Sequence, residues 1–89
     1  MAVFKVSYEP YFPKKNIAFY EVLASYPHVH IMDSFWLIEA DSDAKTIRDE
    51  LHVHLEGGDV LFVAQVSKDW AGAGTQCEQW LNASNRKYA

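Results

Sequence analysis

Residues 28 to 40 read His28-Val29-His30-Ile31-Met32-Asp33-Ser34-Phe35-Trp36-Leu37-Ile38-Glu39-Ala40. β-Branched, aromatic and large aliphatic residues dominate the stretch, and only Asp33-Ser34 interrupts it. Asp and Ser favour turns because their short side-chain oxygens bond to nearby backbone groups. Two strands joined by a tight connection near Asp33-Ser34 satisfy the pattern, and so does one long strand with a bulge there. The pair is the preferred reading, and it decides the fold.

Working back from His28, Pro27 closes a run in which Ile17, Tyr20, Leu23 and Ala24 recur at helical spacing, so a first helix is expected from about Lys14 to Tyr26. Before it, Ala2 to Tyr8 is rich in strand formers, and Pro10 and Pro13 stop any regular continuation. Forward from Ala40, Asp41, Ser42 or Asp43 can cap a second helix by accepting from first-turn amides. Ala44, Ile47, Leu51 and Leu55 share one face of that helix, Lys45, Arg48, Asp49 and Glu50 turn to water, and Gly57-Gly58 closes it. Val60 to Val66 is a nearly continuous apolar run, as expected of a central strand covered on both faces. After a loop over Ser67 to Gly74, Thr75-Gln76-Cys77-Glu78 has the form of a capping box ahead of a short last helix, with Asn85 to Ala89 fraying.

The order is β, α, β, β, α, β plus a C-terminal helix. This predicts an α+β fold of ferredoxin-like layout, a four-stranded antiparallel sheet with two helices on one face, filling residues 1–89 as a single domain. The second face of such a sheet needs a cover. A second copy of the same sheet supplies one, so a homodimer is expected.

Composition narrows the setting. With 89 residues there is room for one hydrophobic core, and 49% apolar and 15% aromatic residues are enough to build it. A lone cysteine, Cys77, excludes an intrachain disulfide and a cysteine-rich zinc site. The first residues lack the charged and apolar regions of a signal peptide, and no apolar run approaches the roughly 20 residues of a membrane span. A cytoplasmic protein without a membrane partner is expected. A net charge of −4 argues against a strong nucleic-acid-coating role, which rests on Lys and Arg contacts to phosphate. The short basic pairs Lys14-Lys15 and Arg86-Lys87 read as solvated surface.

Several pieces taken together resemble a known superfamily. They are Met1-Ala-Val-Phe-Lys-Val-Ser-Tyr8 followed by Glu9, Asp33-Ser34 before Trp36-Leu37-Ile38, Ile47-Arg48-Asp49-Glu50-Leu51, and Leu61-Phe62-Val63 leading to Asp69-Trp70-Ala71-Gly72. Spread over residues 1 to 72, the set is similar to the CRISPR-associated adaptation nucleases and the virulence-associated protein D toxins, and most of all to the small SinR-like proteins of that superfamily. The resemblance implies a ferredoxin-like homodimer and, as in the nuclease members, Mg-dependent endonuclease or endoribonuclease activity. In those members an aspartate just after the first strand's tyrosine holds the metal, one from each subunit. Glu9 stands at that position here. It is one methylene longer than aspartate, and Mg²⁺ demands near-octahedral oxygen geometry.

Two functional classes follow. In the first, Glu9 and its mate place a metal-activated water beside a phosphate, assisted by Asp33 and Ser34. In the second, the chain is a non-catalytic or vestigial homodimeric module that presents the Asp69-Trp70 loop and the terminal helix to a protein partner, with Trp70, Trp36 and Phe35 as interface residues, large aromatics of the kind that anchor interfaces. Nucleic-acid binding without cleavage is a further alternative. The bland reading of Asp33-Ser34 is a turn, and that of Glu9 is a solvated carboxylate. His28 and His30 share a strand face and can in principle chelate, whereas His52 and His54 diverge by about 200° on a helix. Cys77 reads as structural.

Overall fold

The computed structural model describes residues 2–10, 16–67, 69–72 and 77–81. Seven elements follow one another: β1 (Ala2–Glu9), α1 (Ile17–Ala24), β2 (His28–Met32), β3 (Phe35–Ala40), α2 (Ala44–His52), β4 (Val60–Val66) and α3 (Cys77–Leu81). The four strands form one sheet in the order β2-β3-β1-β4. Every neighbouring pair is antiparallel, with Lys5 opposite Leu37 on one side and Ala64 on the other. This architecture is compatible with the ferredoxin-like layout. Asp33-Ser34 forms the connection between β2 and β3, and the register shifts between His30 and Met32, so the pairing carries an irregularity just before the turn.

Alternation along β1 divides the interior in two, because successive side chains point to opposite faces. Phe4, Val6 and Tyr8 join Trp36 and Ile38 of β3 beneath Phe19 and Leu23 of α1 and Ile47 and Leu51 of α2. Both longer helices therefore cover the same face. On the other face Val3 and Leu37 pack against Leu81 of α3, with Trp70 and Trp80 at the margin. The chain thus covers part of its own second face. Among the described residues no helix is long and apolar enough to cross a membrane.

Three expectations change in detail. Val60–Val66 is an edge strand, and the central positions belong to β1 and β3. A continuous apolar run reports how much cover a strand demands, not where it sits, and here Val60 and Phe62 stay 60% and 58% exposed. In α1 the buried pair is Phe19 and Leu23, while Ile17 is exposed. The larger ring wins the inward position, stacking on Tyr8 at 4.0 Å between centroids. In α2 the helix closes at His52 with Val53 as its C-cap, so Gly58, at φ 91°, serves the turn before β4 instead. The expectations for Lys14-Lys15, Thr75-Gln76, Asn85 to Ala89 and the Cys77 and Glu78 side chains lie outside what the structure describes.

Asp43 is the residue that caps α2, accepting from the Thr46 amide at 2.8 Å. That backbone hydrogen bond holds its carboxyl below the ordinary 3.8. A depressed folded pKa means stability that is present above the unfolded value and lost as pH falls through the folded one. Asp43→Ala is therefore expected to lower the melting temperature at neutral pH, with the difference from the parent shrinking once both are measured in strong acid.

Candidate functional site

β1 ends where three connections meet: the entry to α1, the β2–β3 turn and the loop from α2 into β4. The Tyr8 amide donates to the Ser34 carbonyl at 2.9 Å, which seats the Asp33-Ser34 turn beside the end of β1. Glu9, the last residue of β1, lies opposite Val60 at the start of β4. Glu9, Asp33 and Ser34 therefore gather at one end of the sheet, and all three are exposed. Among the described residues no group of three or more His, Cys, Asp or Glu side chains converges closely enough to hold a metal ion. Within one chain Glu9 is the single carboxylate at the end of β1.

A polar cluster beneath this end holds it in place. Tyr8 is 2% exposed, and its hydroxyl donates to Asp59 Oδ2 at 3.3 Å. The same carboxylate oxygen accepts from the Glu56 amide at 3.0 Å. Asn16 caps α1 by accepting from the Phe19 amide at 3.0 Å, and its Nδ2 donates to the His54 carbonyl at 2.7 Å and, over a longer 3.5 Å, to the Tyr8 hydroxyl. Burial pushes the Tyr8 phenol above its ordinary value; donation from Asn16 opposes that shift and the Asp59 carboxylate reinforces it. The hydroxyl thus stays protonated at physiological pH and acts as a fixed donor. One side chain, Asn16, ties α1 to the loop after α2. Asn16→Ala removes a cap and a side-chain bond to a part-buried carbonyl, so it is expected to cost about 2 kcal/mol, read as a lower urea midpoint at unchanged slope.

The residues expected at an interface separate. Trp36 is 6% exposed on the helix-bearing face, its ring stacked on His30 at 4.7 Å. Trp70 is half-buried against the cluster of Val3, Leu37 and Leu81. Phe35 is half-buried against the same cluster, with Lys5 Nζ 4.9 Å from its ring centroid. Around it Met32, Val60 and Phe62 are exposed. Of the histidines, His28 places Nδ1 2.8 Å from the Tyr26 carbonyl, and His54 lies beyond the end of α2. A shallow depression on α2 is lined by Arg48, Asp49 and His52, and there Arg48 and Asp49 pair at 2.7 Å.

Sequence reasoning passed over Asn16 and Asp59. Asn16 was findable, since an asparagine directly before a helical run is a cap signal. Asp59 was not, because its partner Tyr8 is distant in the chain. No family model, curated protein or solved structure matches the chain.

Proposed function

We propose that the protein is a ferredoxin-like homodimeric module without catalysis of its own, whose open sheet face receives a protein partner. The strand order supports the ferredoxin-like part of this reading: taken from the β4 edge it runs 4-1-3-2 with all neighbours antiparallel, the arrangement of a split βαβ pair. The observation that carries the interaction role is the apolar set of Val60, Phe62 and Met32, each more than half exposed on one side of the molecule's sheet or its turn. Val60 and Phe62 lie two positions apart on the β4 edge and Met32 on the β2 edge, and exposed apolar surface of this kind is costly in water and marks contact sites.

The gathering of Glu9, Asp33 and Ser34 favours a second reading, a Mg-dependent endonuclease in which Glu9 and its mate hold the ion. One assay separates the two. The purified protein is incubated with single- and double-stranded RNA and DNA, with and without Mg²⁺ or Mn²⁺, beside Glu9→Ala. No cleavage is expected, and metal-dependent cleavage that disappears in Glu9→Ala would overturn the module reading.

A further inference from the structure

β4 has the composition of an inner strand and the position of an outer one. Val60-Leu61-Phe62-Val63-Ala64-Gln65-Val66 contains no charge, proline or glycine, and its pairing with β1 runs without a register shift. Edge strands are usually guarded by short length, charge, proline or a bulge. The opposite edge of the sheet has such guards: β2 is only five residues long, its register breaks between His30 and Met32, and α3 packs beside it. Among the described residues nothing pairs with the outer side of β4.

The direction of the unpaired backbone groups follows from one hydrogen bond. The Tyr8 amide points to the Ser34 carbonyl on the β3 side of β1. Backbone direction alternates along a strand, so Val3, Lys5, Ser7 and Glu9 turn toward β4, where their partners are Val66, Ala64, Phe62 and Val60. Leu61, Val63 and Gln65 therefore present their amides and carbonyls outward.

We propose that β4 pairs antiparallel with β4 of a second copy, about a two-fold axis through Val63, joining the two sheets edge to edge. This register alone engages all three outward residues, with Val63 facing its own mate and Leu61 facing the partner's Gln65, for about six backbone hydrogen bonds. Side chains then match. Phe62 lies against the partner's Ala64, large against small, and Val60 against the partner's Val66. Charge is compatible as well: every opposed pair within the strands is neutral, and Asp59 falls opposite the partner's Ser67. The occupant is a copy of this chain because the strand is complementary to itself. The open parts of both second faces then merge near the axis into one broader apolar surface.

The inference rests on the homodimeric reading above and specifies how the dimer forms. It also sets the two Glu9 residues roughly 25 Å apart, from strand spacings of about 4.8 Å and rises of about 3.4 Å per residue. That is too far for a shared ion.

The test is sedimentation together with disulfide trapping in the full chain carrying Cys77→Ser. Val63→Cys places two sulfurs on residues about 5.5 Å apart between Cα atoms, within disulfide reach. Leu61→Cys places them about 14 Å apart. Rapid oxidation of Val63→Cys to a covalent dimer, with none for Leu61→Cys, is expected. Gln65→Pro removes one outward amide at an exposed position and is expected to weaken the dimer at least about tenfold. A dimer that Val63→Cys fails to trap and Gln65→Pro leaves intact overturns edge pairing while the homodimeric reading stands. A monomer at high micromolar concentration overturns both.

Discussion

Phe19→Ala is expected to remove a large share of the protein's stability. Phe19 is 0% exposed, and its ring stacks on Tyr8 at 4.0 Å while meeting Tyr20 edge-on at 5.5 Å. Removing a buried phenylalanine costs about 3–5 kcal/mol, because transfer energy and a residual cavity add. A chain of this length has roughly 5–13 kcal/mol in total, at about 0.05–0.15 per residue. The loss also reaches the candidate site, since the Phe19 ring backs Tyr8, whose amide and hydroxyl anchor the β2–β3 turn and Asp59. Urea denaturation followed by far-ultraviolet circular dichroism measures the effect. Phe19→Leu, which keeps most of the volume, is expected to lose less than half as much. Equal losses in the two variants would show that stacking, not filled volume, holds α1 to the sheet.

Leu81→Ala is expected to loosen the other face. Leu81 is 3% exposed and closes over Val3 and Leu37, which are 0% and 4% exposed. The cost is about 2–4 kcal/mol by the same reasoning, and it falls on a helix of five residues. Trp80 and Trp70 pack at the margin of the same cluster, so tryptophan emission is expected to shift to longer wavelength before the sheet itself melts. A red shift that coincides with global unfolding would mean that α3 and the sheet form one cooperative unit.

The parts of the fold that were legible in the sequence are those where local chemistry and global packing agree. The Asp33-Ser34 turn, the Asp43 cap and the Ile47–Leu51 stripe each depend on residues within a few positions of one another. Two features escaped for physical reasons. The apolar run at Val60 to Val66 shows that the strand wants cover, but a chain cannot state from its own pattern whether a neighbouring strand, a helix or another molecule provides it. The inward side of α1 depended on Phe19 meeting Tyr8, a contact between distant segments. At the candidate site the three flagged residues Glu9, Asp33 and Ser34 do come to one end of the sheet, whereas the Tyr8–Asp59 contact under them spans 51 positions and leaves no local trace.

β1 is the first strand in the chain and sits between β3 and β4, where Val3 pairs with Ala40's neighbour Glu39 on one side and with Val66 on the other. As the polypeptide is made, the β3 side of β1 can be matched once Phe35–Ala40 emerges, whereas its β4 side stays open until Val60–Val66 follows. Contacts between such distant segments close slowly.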